Sequence, residues 1–117
     1  MEVRAQLKKL GIPARKARLV VALIRGMQAA KALDLLHHQP QKTAKPLRKL
    51  LQAALAGWQH KYPDNPLDHK QLRISQIYAD SAQMLKRIQP APQGRAHRIR
   101  KRSCHITLTL APYAKAL

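Results

Sequence analysis

Residues 2–8 alternate, with Val3, Ala5 and Leu7 on one side and Glu2, Arg4, Gln6 and Lys8 on the other, the period of a strand with one covered face. Gly11 and Pro13 end that pattern, and Pro13 suits the first turn of a helix, where its missing N–H has no intrahelical partner to lose. Ala17, Val20, Val21 and Ile24 then form an apolar stripe that stops at Gly26, a C-terminal cap residue. A shorter helix follows, with Ala29, Ala32, Leu33 and Leu36 inward, ending before Pro40. A third, capped by Thr43 and tolerating Pro46 in its first turn, carries Leu47, Leu50, Leu51, Ala54, Leu55 and Trp58 at helical spacing. Tyr62-Pro63-Asp64-Asn65-Pro66 reads as a loop. Residues 71–80 read as a strand with Leu72, Ile74 and Tyr78 interleaved with polar residues. Two further strands, about 84–89 and 95–110, flank a Pro90-Ala91-Pro92-Gln93-Gly94 tip.

The last of these strands holds the most informative pattern. Its even positions read Arg98, Arg100, Arg102, then Cys104, Ile106, Leu108, Leu110. Alternate residues share one face of a strand, so that face turns from cationic to apolar near residue 103. The apolar half joins the core. The cationic half stays out, because burying three unpaired guanidiniums costs several kcal/mol each. A hairpin therefore leaves the body, and arms of ten or so residues at ~3.4 Å each reach roughly 35 Å. So few apolar residues cannot hold such an arm in shape, and an anionic partner must order it.

Composition sharpens the choice of partner. The 117 residues suit one domain. It divides into a globular body, about 1–82 and 103–117, and an extended hairpin, about 83–102. Twenty-three Lys and Arg against five Asp and Glu give a net charge of +18, which calls for a polyanion. After Asp80 the chain holds eight Lys or Arg and no carboxylate. Hydrophobic residues make up 45%, too many for a disordered basic tail. Trp58, Tyr62, Tyr78 and Tyr113 are the only aromatics in Phe, Tyr and Trp, too few for base-stacking platforms. Arg grips phosphate with a bidentate fork and Lys acts as a point charge. Lys86, Arg87, Arg95, Arg98, Arg100, Lys101 and Arg102 supply such groups on the hairpin, with His97 and His105 as added donors. Arg15, Lys16, Arg18 and Arg25 supply them on the first helix.

Other chemistries find little support. Cys104 and His105 are adjacent on a strand, point to opposite faces and do not pair as nucleophile and base. A lone cysteine fits a reducing compartment and a place in the core. The acids form no metal-binding pair, and His37, His38, His60 and His69 lack a metal-ligand spacing. No enzyme activity, cofactor or metal is expected. No apolar run approaches a membrane span, and the first dozen residues lack a signal-peptide core. The rival reading is a helix-turn-helix around Gly26 that binds DNA. Its second helix, however, offers mainly Gln28, Lys31 and Asp34 for base contacts.

Two stretches carry a family resemblance. Arg15-Lys16-Ala17-Arg18-Leu19-Val20-Val21-Ala22-Leu23-Ile24-Arg25-Gly26 resembles the first-helix signature of the large-subunit ribosomal protein L twenty-two family. Leu85-Lys86-Arg87-Ile88, followed by Gln93-Gly94-Arg95-Ala96-His97-Arg98-Ile99-Arg100-Lys101-Arg102-Ser103-Cys104-His105-Ile106-Thr107-Leu108, resembles its hairpin and final strand. The resemblance implies an α+β fold: three helices packed on a small antiparallel sheet, with a long protruding β-hairpin. It implies a structural, 23S-type rRNA-binding component that organises rRNA domains during assembly. The body would lie near the peptide exit, and the tip (Gln89, Pro90, Ala91, Pro92, Gln93, Gly94) would line the nascent-peptide tunnel. Implied partners are large-subunit rRNA, neighbouring ribosomal proteins and the nascent polypeptide, with no membrane and no homo-oligomer. The implied place is a cytoplasmic or organellar ribosome. Lys16, Arg18 and Arg25 match basic positions of the helix motif. Lys86, Arg87, Arg95, Arg98, Lys101 and Arg102 match those of the hairpin, and His105 matches its histidine. The chain departs from the family pattern in three places: Pro90-Ala91-Pro92 where an Arg is usual, Ser81-Ala82-Gln83 where an acidic-Gly-Pro turn is usual, and Pro13 where a capping Ser is usual.

Overall fold

The computed structural model describes residues 2–64, 67, 70–90, 94 and 96–112. In chain order the elements are β1 (Val3–Leu10), α1 (Ala14–Ile24), α2 (Ala29–His38), α3 (Ala44–Lys61), β2 (Leu72–Ser81), β3 (Leu85–Pro90), β4 (Ala96–Lys101) and β5 (Cys104–Pro112). Strands β1, β5 and β2 form an antiparallel sheet in that order, while β3 and β4 form a separate two-stranded ribbon. The three helices cover the sheet, α3 against β1 and α1 against β2. The α+β reading holds, down to the small antiparallel sheet.

The helical stripes become the core. Ala17, Val20, Val21 and Ile24 of α1, Leu47, Leu51 and Trp58 of α3, and Ile106, Leu108 and Leu110 of β5 are all fully buried. Alanines at Ala17, Ala29, Ala32 and Ala54 let helix backbones come close to their neighbours. The helix starts are plainer than the sequence implies. Thr43 stands at the α3 cap position, but its side chain makes no cap bond, because its backbone is already helical and the side chain is buried. Its carbonyl instead accepts the N–H of Leu47 at 3.1 Å.

Two bulges reset the strand faces. On β2 the register runs Ile74↔Leu110 and then Gln76↔Thr109, so Ser75 is an extra residue. Its hydroxyl donates to the Thr109 carbonyl at 3.1 Å. Past the bulge the inward positions become Ile77 and Ala79, and Tyr78, expected on the covered face with Leu72 and Ile74, is 40% exposed. On β1 the register slips between Leu7↔Ile106 and Leu10↔Cys104. Lys9 takes up the extra length with φ at 57°, in the left-handed region.

β2 is an edge strand, and its outer edge is closed by the α1–α2 segment. Gly26, at φ 76°, turns the chain out of α1 and donates its N–H to the Ile74 carbonyl (3.2 Å), while the Ile74 N–H donates to the Met27 carbonyl (2.9 Å). Further along, Arg25 Nη2 donates to the Ile77 carbonyl and Arg18 Nε to the Ala79 carbonyl, both at 3.1 Å. These bonds occupy an edge that would otherwise invite pairing with another chain.

Candidate nucleic-acid interface

The molecule measures 69 × 25 × 21 Å, with a radius of gyration of 17.7 Å where a compact chain of this length gives about 13 Å. The difference reflects a part that projects from the body. β2 and β5 stay paired to Ser81↔Cys104, and pairing resumes at Leu85↔Lys101 as the β3–β4 ribbon.

The expected single strand over 95–110 is thus two strands, β4 and β5, interrupted at Arg102 and Ser103. One more residue lies on the first arm than on the second across the break, so one continuous ladder cannot form. Ser103 bridges the gap with two bonds: its carbonyl accepts the Ala82 N–H at 3.0 Å, and its hydroxyl donates to the Gln83 carbonyl at 2.8 Å. The change from apolar to cationic character falls at a junction between two sheets.

Two grooves flank this root, and both reach Arg102 and Ser103. One, of about 590 Å³, brings Pro13, Ala14, Arg15 and Arg18 of the α1 start against Met84 and Arg102. The other, of about 500 Å³, joins Lys9 and Gly11 to Leu85, Lys101, Arg102 and His105. Among the described residues, no carboxylate lines either. The start of α1 has no acidic residue in its first turn and no side-chain cap, so its positive end adds to the same field. The two motifs, far apart in sequence, therefore meet at the hairpin root.

The remaining candidates are spread out. Lys16 faces a different groove, beside Ile12 and Leu19. Arg25 lies at the opposite end of α1 from Arg15, on the Ile77 carbonyl. Along the ribbon, Lys86 pairs in register with Arg100, Arg87 with Ile99, Ile88 with Arg98, and Gln89 with His97. Pro90 pairs with Ala96, and Gly94 is exposed with φ at 73°. Arg95 and the tip residues Ala91, Pro92 and Gln93 lie outside the described residues.

Three residues gain a structural task in addition. Arg18 and Arg25 each use one N–H to close the β2 edge, while both residues stay exposed. His105 accepts the Lys9 N–H on Nδ1 at 3.0 Å, which places its ring proton on Nε2, free to act as a donor. Lys9 itself is a member of the root that periodicity did not single out. Its signal was the Lys8-Lys9 pair just before Gly11, where the strand pattern fades.

Cys104 is fully buried, and burial pushes its thiol up, against a smaller opposing pull from Arg18. A protonated, enclosed thiol is no nucleophile. Among the described residues no three His, Cys, Asp or Glu gather into a metal-holding group, and no helix is long and apolar enough to cross a membrane. The segment between α1 and α2 is bonded to the edge of β2, with Gln28 bridged to Arg73, and so does not form the free turn of a groove-reading helix pair.

A family model described as ribosomal protein L22p/L17e matches residues 5–111. The large ribosomal subunit protein uL22 of Christiangramia forsetii is 46% identical over 106 residues, covering 91% of this chain and 78% of the relative. The protein of the same name from Dehalococcoides mccartyi is 45% identical over 111 residues, 95% of this chain and 99% of its own. That of a Synechococcus strain is 44% identical over 115 residues, 98% and 90% respectively.

Proposed function

Because the chain belongs to the ribosomal protein L22p/L17e family, we propose that it is a structural, non-catalytic component of the large ribosomal subunit that binds large-subunit rRNA and works beside other ribosomal proteins. The body, about 1–82 with 103–117, rests on the RNA, and the hairpin, about 83–102, threads between RNA segments. The observation that carries this reading is the cationic root, where Arg15 and Arg18 of α1 border the same groove as Arg102. A phosphate strand crossing there meets guanidiniums from both motifs at once.

Neutralising phosphates at the root and along the ribbon lets RNA segments approach each other and holds their relative placement. Contacts of this kind position RNA without reading bases. Arg15, Lys16, Arg18, Arg25, Lys86, Arg87, Arg95, His97, Arg98, Arg100, Lys101, Arg102 and His105 make up the RNA-binding set. With the body near the peptide exit, the tip from Gln89 to Gly94 lines the tunnel and meets the nascent polypeptide. The protein acts as a single copy within the ribosome. Replacing Arg98, Arg100 and Arg102 together by Glu tests the reading: assembly of the large subunit should stall, and normal incorporation of the variant would refute it.

A further inference from the structure

The helices meet the β1–β5–β2 sheet on the face that carries Ile77, Ala79, Ile106 and Leu108. On the opposite face Arg4, Gln6, Gln76 and Tyr78 are exposed. The register sets these residues in two rows, Gln6–Thr107–Tyr78 and Arg4–Thr109–Gln76, with neighbouring side chains about 5 Å apart. Tyr78 is thus a phenol ring open to solvent among hydroxyl, amide and guanidinium groups.

Two cations stand beside that ring. Ile77 and Ala79 flank Tyr78 on the edge strand, and their carbonyls accept bonds from Arg25 Nη2 and Arg18 Nε, both at 3.1 Å. Carbonyls of alternate strand residues lie about 6.8 Å apart, so the two guanidiniums bracket Tyr78 along β2. Each spends one N–H on the strand and, on an exposed side chain, keeps its remaining donors for an anion. Ala22 lies between the two arginines on the same side of α1, exposed and too small to block an approach. Asp80, two residues beyond Tyr78, is the one carboxylate of β2, and it disfavours phosphate at that end of the strand.

These features select the occupant. A protein contact is built around an apolar centre, and Tyr78 is the only large hydrophobic residue exposed on the three described strands. Duplex RNA keeps its base faces inside the stack. An unpaired nucleotide offers a base face together with a phosphate on either side. One ring is no platform for several bases, but it serves for one.

We propose that this edge of the body binds an unpaired nucleotide of the large-subunit rRNA, its base stacked on Tyr78 and its flanking phosphates on Arg18 and Arg25. The proposal rests on the RNA-binding reading and adds to it a site with a flat base-binding surface, in which Arg25, remote from the hairpin root, takes part.

The test compares Tyr78→Phe, which keeps the ring, with Tyr78→Leu, which keeps apolar bulk without it. Large subunits carrying each form are probed by 2′-hydroxyl acylation, which reports how freely each nucleotide moves. An unpaired nucleotide should become about threefold or more reactive in Tyr78→Leu subunits, and stay as in the unsubstituted protein with Tyr78→Phe. Identical reactivity with Tyr78→Leu, or the same gain with Tyr78→Phe, overturns the proposal. A second measurement titrates the isolated full chain with a short single-stranded oligouridylate. Tyr78→Leu should weaken binding roughly 5- to 150-fold, the loss of one base stack, with the salt dependence unchanged because no cation is removed. Salt-dependent binding that Tyr78→Leu leaves unaltered sinks this inference alone, whereas no RNA binding by the unsubstituted chain sinks the RNA-binding reading as well. Should Tyr78→Leu fail to enter subunits, the titration decides.

Discussion

The main-chain N–H of Lys9 donates to Nδ1 of His105 at 3.0 Å, joining the bulge of the first strand to the last strand one residue past the buried Cys104. The bond holds Lys9 in a left-handed conformation that a side-chain-bearing residue adopts only at a cost of roughly 1–2 kcal/mol. His105→Ala removes the acceptor from a solvent-accessible N–H and should lower unfolding stability by about 1 kcal/mol. Lys9→Gly relieves the backbone and should raise stability by up to about 1 kcal/mol. Urea titration of both variants checks the pair, and a stabilised His105→Ala would contradict the role given to the ring.

Arg18 and Arg25 combine charge with directed bonds to β2 carbonyls, and the two contributions can be separated. Arg18→Lys keeps the charge but loses the Nε–H aimed at the Ala79 carbonyl. It should cost about 1 kcal/mol of stability while leaving the salt dependence of RNA binding intact. Arg18→Ala should lose both. The same contrast applies to Arg25 and the Ile77 carbonyl. Chemical denaturation and filter binding across a salt series distinguish the two effects.

If about eight phosphates are engaged, affinity for large-subunit rRNA fragments should fall roughly 10³–10⁵-fold between 50 and 200 mM salt. Arg102→Ala removes the cation shared by both root grooves and should lower the slope of log affinity against log salt by about 1. A flat response to salt would mean that the interface is not electrostatic.

Cys104 gives a prediction in pH. Its thiol is raised above the ordinary value of 9.0 because burial disfavours the thiolate. As pH climbs past about 9 the unfolded chain releases this proton while the folded chain retains it, so the contribution to stability is complete below that pH and is lost above it. Cys104→Ala should remove this part of the alkaline decline, at a cost of about 1–2 kcal/mol for the space it leaves. Native protein should also react slowly with iodoacetamide at pH 8 and quickly once unfolded.

Some features were legible from local pattern because they depend on local physics. The stripe Ala17, Val20, Val21, Ile24 and the run from Leu47 to Trp58 recur at helical spacing, and both faces are buried as read. The turn at Gly26 needed only a residue at ease with positive φ. Tyr78 was misplaced because one inserted residue, Ser75, inverts which side chains face inward, and nothing in the alternation before it signals the insertion. Thr43 has the composition of a cap without the geometry of one. The break at Arg102 and Ser103 was hidden because residues 95–110 alternate without interruption, and only the offset between the two arms makes a continuous ladder impossible.

Residue types and their short spacing are enough to set the charge, the lack of acids after Asp80, the three helical faces and the greasy final strand. Which cations stand together is a matter of how the chain packs. Packing set Arg15 and Arg18 beside Arg102, sent Arg25 to the edge of β2, and recruited Lys9 through a bulge. Proximity across some eighty residues of chain follows from strand order and register, and these are fixed by how helices and sheet share one core rather than by any local pattern.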